Sequence, residues 1–252
     1  MTKIIMNGCN GKMGQVITRL VSEMEDVQIV AGIDFNSESN NGYPVFKVPS
    51  DCNVKADAII DFSHPAAFGN LVEYAVSRKL PLVMATTGLS QLQMKTLELA
   101  SKETPIFISA NMSLGVNLLI DLVKKAAKVL EGSFDIEIVE KHHSQKIDAP
   151  SGTALAIADG INSVLEQKCE YEYDRHSKRK KRSKQEIGIH AVRGGTIVGD
   201  HSVIFAGTDE IIEINHTAMS REIFAVGAIK AAKFLKGKKP GYYSMNDLIQ
   251  NI

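Results

Sequence analysis

Lys3-Ile4-Ile5-Met6-Asn7-Gly8-Cys9-Asn10-Gly11-Lys12-Met13-Gly14 is the stretch on which the fold turns. A short apolar strand runs into a glycine-rich turn and leaves it as a helix. Across Lys12–Met24, Met13, Val16, Ile17, Leu20 and Val21 fall on one stripe at helical spacing. A turn this tight needs residues without Cβ where the chain approaches a pyrophosphate. The helix start then offers free N–H groups and the positive end of its dipole to that anion. The spacing is G-x-x-G-x-x-G rather than G-x-G-x-x-G, so the placement between strand and helix carries the reading.

The next strand, Val27–Ile33, ends at Asp34, about 20 residues past the last glycine, where an acid accepts hydrogen bonds from ribose hydroxyls. A carboxylate there repels a 2′-phosphate, and the following Phe35 and Asn36 include no Arg to hold one. Lys12 can still lean over such a phosphate. The expectation is NADH preferred, or NADH and NADPH both accepted.

Outward from this stretch the pattern repeats. Ala58–Phe62, Pro81–Ala85 and Pro105–Ser109 read as buried strands. A helix starting at Pro65 carries Phe68, Leu71, Val72, Ala75 and Val76 on its apolar face, and Ser90 caps another. Five or six strands with right-handed crossovers make a doubly wound α/β sheet. The pattern changes after Val116–Leu130, a long helix. Phe134, Ile136 and Ile138, then Ile187, Ile189 and Ala191, then Ile212 and Ile214 alternate with polar residues. Alternation implies an antiparallel or mixed sheet with one open face, available to another subunit. A closing helix over Glu222–Lys236 has an apolar stripe suited to packing back on the first sheet.

Composition excludes several classes. The 252 residues carry 29 basic and 29 acidic side chains, so no net charge draws the chain to nucleic acid or membrane. No run approaches the roughly 18 apolar residues of a membrane span, and the N-terminal apolar stretch is too short for a signal peptide. Cys9, Cys52 and Cys169 form neither a disulfide framework nor a C-x-x-C pair, which fits a reducing, cytoplasmic location. The basic run Arg175–Lys184 has no interleaved aromatics and reads as a solvated loop.

The densest chemical constellation is Glu140-Lys141-His142-His143-Ser144-Gln145-Lys146-Ile147-Asp148-Ala149-Pro150-Ser151-Gly152-Thr153. His142, His143 and Lys146 supply positive charge and transferable protons. Gly152 and Thr153 open an amphipathic helix whose N–H groups and hydroxyl make a carboxylate site. Adjacent histidines without a supporting acid or cysteine cluster argue against a metal centre. Ala85-Thr86-Thr87-Gly88 ends a strand on the ligand-binding side of the sheet. It is either a plain strand-to-helix turn or a platform for a nicotinamide.

These strings resemble the dihydrodipicolinate reductase family. The resemblance rests on Gly8–Gly14, Asp61-Phe62-Ser63-His64-Pro65, Thr86-Thr87-Gly88, Ser109–Asn117, Glu137–Ala154, Ala191–Gly195 and Val198–His201. It runs through the whole chain in order, and the H-H-x-x-K-x-D-x-P-S-G-T string is its most specific part. One departure is Ala85, where the family usually has Gly. The resemblance implies a Rossmann dinucleotide-binding domain over 1–112 and 222–252, completed by the C-terminal helix, with an inserted α+β substrate-binding and tetramerisation domain over 113–221. It implies a homotetramer that reduces a small dicarboxylate imine of lysine and diaminopimelate synthesis with NADH or NADPH. By matching position, His142 and Lys146 are the implied proton-transfer residues, and His143, Gly152 and Thr153 the implied substrate ligands. Gly8, Cys9, Asn10, Gly11, Lys12, Met13, Asp34, Ala85, Thr86, Thr87, Ser109, Ala110, Asn111 and Met112 are implied to line the cofactor. Another amino-acid dehydrogenase shares the glycine loop but does not explain the His-Lys and S-G-T strings. A nucleic-acid-reading redox sensor needs a reader motif that is not apparent in the sequence.

Overall fold

The computed structural model describes residues 1–37 and 41–251. The chain begins with β1 Thr2–Asn7, α1 Lys12–Ser22, β2 Val27–Ile33, β3 Val45–Phe46 and β4 Ala58–Asp61. It continues with α2 Phe68–Ser77, β5 Leu82–Met84, α3 Gln91–Ala100, β6 Pro105–Ile108 and α4 Leu114–Leu130. β7 Asp135–His142, α5 Gly152–Val164, β8 Glu170–Glu172, β9 Glu186–Arg193, β10 Gly199–Ala206 and β11 Ile211–Ala218 follow. The last elements are α6 Glu222–Leu235, β12 Gly241–Tyr243 and α7 Met245–Ile249. They form two compact units, Met1–Leu114 with Glu222–Ile252, and Gly115–Arg221.

The first unit is a seven-stranded sheet in the order β12-β6-β5-β4-β1-β2-β3, with every pairing parallel. Parallel strands are buried on both faces, which is why they read as solid apolar runs. Successive residues serve opposite layers: Ile4 and Met6 join one core while Ile5 joins the other, and Ala58 and Ile60 face away from Ile59. Helix α6 belongs to this unit, as expected from its stripe. Its Ala225, Ala228, Ala231 and Ala232 are fully buried, and side chains this small let the helix lie close to the sheet. Helix α3 starts with a reciprocal capping box, Ser90 with Gln93. The expected helix from Pro65 opens instead as a 3-10 turn, Pro65–Ala67, before α2 proper. Pro65 occupies the first position of that turn, where its missing N–H costs nothing.

The second unit is a five-stranded mixed sheet in the order β11-β10-β7-β9-β8. β10 is antiparallel to both β7 and β11, whereas β9 runs parallel to β7 and β8. Helices α4 and α5 cover one face: Leu119, Val123, Ile157 and Ile161 meet Ile138, Ile189, Val203 and Phe205. Burying each such side chain contributes roughly 1.5–3 kcal/mol. On the other face Val192 and His190 stay about half exposed. Strand β10 was not anticipated from the sequence, although its burial alternates along its whole length. The basic run is a loop, but not a wholly solvated one. Arg182 pairs with Asp135 and Glu137, Arg175 with Glu186, and Lys178 with Glu172, so much of its charge is cancelled in place.

Among the described residues, no helix is long and apolar enough to cross a membrane, and no group of three or more His, Cys, Asp or Glu side chains is arranged to hold a metal ion.

At Gly227 on α6 an added Cβ would run into the carbonyl oxygen of Met112. Overpacking of this kind costs about 1–3 kcal/mol. Gly227→Ala is therefore expected to lower the urea midpoint without changing the m-value; an unchanged midpoint would contradict the close seat of α6.

Candidate active site

In the first unit the strand ends and their loops build one cluster. Gly8 has φ +78°, and a Cβ there would lie 2.5 Å from the Phe62 carbonyl oxygen. A Cβ on Gly14 would lie 2.6 Å from the Cys9 carbonyl oxygen, so the turn closes only with glycine at these places. Gly11 caps α1 with no side-chain hydrogen bond, the condition that suits a bound anion. Asp34 reaches back to this turn: its Oδ2 accepts from Asn10 N at 3.0 Å and its Oδ1 from Asn36 N at 3.0 Å. Cys9 is fully buried, and burial together with the charge of Asp34 pushes its thiol up to about 11. It can offer a ligand only its backbone. Lys12 is exposed.

Two cavities flank the turn. One, of about 480 Å³, is lined by Gly8, Gly11, Asp34, Phe35 and Lys47 among others. The second, of about 230 Å³, is lined by Met13, Ala85, Thr87, the Ser109–Met112 segment, Phe62 and Phe224. Thr86 is turned away from the second cavity to Asp61, donating from Oγ1 to Oδ2 at 2.7 Å. Asp61 also accepts from Asn7 Nδ2 at 2.6 Å and from Ser63 N at 3.2 Å. Burial pushes this carboxyl above its usual range in spite of those donors. The glycine cradle, Asp34 and a cavity on either side fit a nicotinamide dinucleotide.

In the second unit the geometry centres on β7. Glu140 and His142 are two residues apart on a strand and so point to the same face. His142 Nδ1 lies 2.6 Å from Glu140 Oε2, and Arg193 Nη1 and Nη2 reach the two Glu140 oxygens at 2.8 and 2.7 Å. Ser151 N, at the cap of α5, donates to Glu140 Oε1 at 3.0 Å, which brings Gly152 and Thr153 close to this carboxylate. Burial opposes the charge on Glu140. The hydrogen bonds from Arg193, His142 and Ser151 prevail and hold the carboxyl below its usual range. Lys146 Nζ pairs with Asp148 Oδ1 at 2.8 Å, and Arg193 Nη2 donates to the Asp148 carbonyl at 2.6 Å. The turn is anchored further by Ser144 N on the Gly195 carbonyl at 3.2 Å. His143 follows directly on β7 and is half-buried.

Several residues here had no role assigned from sequence: Asp61, Glu140, Arg193, Gly199 and His201. The available signal was spacing, since Glu140-x-His142 and Gly199-x-His201 each put two residues on one strand face. His201 stacks edge-on against His142 with 5.3 Å between ring centroids, and its Nε2 lies 3.1 Å from Ser151 Oγ.

Two expectations follow from this geometry. A Cβ on Gly199 would lie 3.1 Å from His142 Nε2, crowding the ring. Gly199→Ala should displace that ring, seen as a shift of the His142 ring resonances by NMR; unchanged resonances would show the ring has room. His201 is pushed down to about 4, by burial first and then by the neighbouring His142. An unfolded histidine titrates near 6.5, so between about pH 6.5 and 4 the unfolded chain binds the extra proton. This contribution should be complete above about pH 6.5 and be lost as the pH falls toward 4. Thermal melts of His201→Asn should show a shallower decline over that window, and parallel curves would contradict the assignment.

Comparison with known proteins agrees along the whole chain. Profiles of the dihydrodipicolinate reductase N-terminus and C-terminus match residues 2–112 and 115–249. A 4-hydroxy-tetrahydrodipicolinate reductase of Caldanaerobacter subterraneus subsp. tengcongensis is 59% identical over 250 residues, covering 99% of each chain. One from Clostridium tetani is 51% identical over 251 residues, covering 100% of this chain and 98% of its own. The fold is similar to that of a dipicolinate-bound dihydrodipicolinate reductase from Paenisporosarcina sp. TG-14, with TM-score 0.84 and 23% identity over 98% of this chain and 99% of that one. With both profiles matched and relatives this close over their full length, the chain belongs to the dihydrodipicolinate reductase family.

Proposed function

We propose that the protein reduces the dehydrated form of (2S,4S)-4-hydroxy-2,3,4,5-tetrahydrodipicolinate to 2,3,4,5-tetrahydrodipicolinate with NAD(P)H, in lysine and diaminopimelate synthesis. The observation that carries this reading is the Glu140–His142 pair, hydrogen-bonded to the start of α5 at Ser151, in a chain whose relatives bear that activity in their names. Bound NAD(P)H supplies a hydride. Loss of water from the hydroxy compound leaves a conjugated cyclic imine; one hydride and one proton then give the product and the oxidised cofactor.

The residues divide the remaining work. The substrate is a dicarboxylate, and the N–H of Gly152, the N–H and hydroxyl of Thr153 and the ring of His143 are suited to hold a carboxylate. Hydride addition builds negative charge on the conjugated system, and His142 and Lys146 supply the proton that discharges it. Lys146 is drawn into place by Asp148, whose carboxyl it holds below the usual range. For the cofactor, the Gly8–Met13 turn takes the pyrophosphate and Asp34 the ribose hydroxyls. Ala85, Thr87 and the Ser109–Met112 segment would frame the nicotinamide, with Thr86 anchoring its turn on Asp61. Asp34 favours NADH, or acceptance of both cofactors. The half-exposed face of the second sheet, with Val192 and His190, is the surface through which a homotetramer assembles. The setting is cytoplasmic.

The test is NADH oxidation followed at 340 nm, with pyruvate, aspartate semialdehyde and a dihydrodipicolinate synthase making the unstable substrate in place. NADPH is run in parallel. Oxidation that depends on the synthase is the expected result. His142→Ala and Lys146→Ala should each lower kcat by about 10²–10⁴-fold while leaving NADH binding unchanged. No oxidation by folded protein that binds NADH would overturn the substrate assignment, and full turnover in either variant would remove that residue from the chemistry.

A further inference from the structure

Glu140 has no exposed surface, yet its two oxygens receive four hydrogen bonds. Oε1 takes Ser151 N and Arg193 Nη2; Oε2 takes Arg193 Nη1 and faces His142 Nδ1. An ionised carboxylate has about four lone-pair sites, so each is filled. A carboxylate in that state can only accept. The hydrogen between Glu140 and His142 therefore sits on Nδ1, and in the neutral ring Nε2 carries the lone pair.

We propose that Glu140 is a positioning residue for the reduction: it fixes His142 in the Nδ1–H tautomer, with Nε2 left to exchange the proton. Through the same two oxygens it ties that ring to the first turn of α5. Arg193 extends the tie to the turn carrying Lys146, because one guanidinium holds both Glu140 and the Asp148 carbonyl. The assignment rests on the reductase reading given above, in which His142 handles a proton and α5 holds a substrate carboxylate.

The charged and titratable groups around the ring come from three strands. Glu140 faces it from its own strand and His201 from β10, with the charges of Asp200 and His216 felt at His201. Arg193 reaches Glu140 from β9 and holds the turn on which Lys146 pairs with Asp148. Burial holds His201 and His216 toward their neutral forms.

Glu140→Gln discriminates this from a merely structural role. An amide offers one acceptor oxygen with two sites to four donors. Ser151 N and one Arg193 nitrogen claim that oxygen, so the amide NH₂ is turned toward His142 Nδ1, which must then accept. The ring is forced into the Nε2–H tautomer.

The experiment combines [15N]histidine NMR of the NADH-bound protein with the synthase-coupled assay, on the parent and Glu140→Gln. In the parent, His142 is expected to carry its hydrogen on Nδ1. In Glu140→Gln the hydrogen should move to Nε2, with kcat lower by ~10–100-fold and NADH affinity unchanged. An Nε2–H tautomer in the parent would overturn the proposal by itself, even where a variant fails to fold. So would unchanged turnover in Glu140→Gln. An inactive parent with His142 in the Nδ1–H form would instead remove the reductase reading and leave the tautomer assignment in place.

Discussion

A carboxylate withdrawn from water costs several kcal/mol unless its acceptor sites are filled by good donors. Each unit of this protein has a fully or almost fully buried carboxyl at or near the end of a strand, Asp61 and Glu140, and the surrounding loops are arranged to satisfy it. In the first unit Asp61 gathers Asn7, Ser63 and Thr86, the residues at or beyond the ends of three adjacent parallel strands. In the second, Glu140 gathers His142, Ser151 and Arg193 from β7, the cap of α5 and β9. Breaking one partner of such a group leaves a buried charge uncompensated, which costs more than the pair contributes when intact. The loops around these two groups are thus held by a penalty for moving.

That arrangement accounts for the division between glycine and side chains. Gly8 and Gly14 stand where backbone meets backbone, and Gly199 stands where backbone meets the His142 ring. Asp34 and the glycine turn are joined by a backbone hydrogen bond from Asn10, so the parts proposed to take the pyrophosphate and the ribose share a single geometry. The serine at the cap of α5 plays the same joining role in the second unit. It caps its own helix through Oγ to Ala154 N at 3.1 Å, meets His201, and gives its own N–H to Glu140.

The parallel strands were legible because burial on both faces leaves solid apolar runs such as Ile4-Ile5-Met6 and Ala58-Ile59-Ile60. The helices were legible from their stripes, α6 most plainly, with alanines spaced to meet the sheet. The short strands β3, β8 and β12 were not, since two or three residues are too few to show a period. β10 escaped notice for a different reason. Its inward positions include Gly199 and His201, which look like loop residues until their partners are known. The same cause hid the organising residues of the site. Glu140 and Arg193 are 53 positions apart, and only the parallel pairing of β7 with β9 sets His142 opposite Arg193 and brings that guanidinium to Glu140. The basic run is an exposed loop as read, but the pairing of Arg175, Lys178 and Arg182 was not legible because their acidic partners, Asp135, Glu137, Glu172 and Glu186, are spread along the chain.

The buried Glu140 carboxylate is proposed to serve the chemistry through the His142 ring. A double-mutant cycle on kcat, measured under single-turnover conditions with Glu140→Gln, His142→Ala and the double variant, tests it most directly. If Glu140 acts through His142, the second substitution adds nothing once the first is present, and the double variant turns over at the rate of His142→Ala. Independent losses that multiply in the double variant would contradict the claim and place Glu140 outside the proton-transfer step.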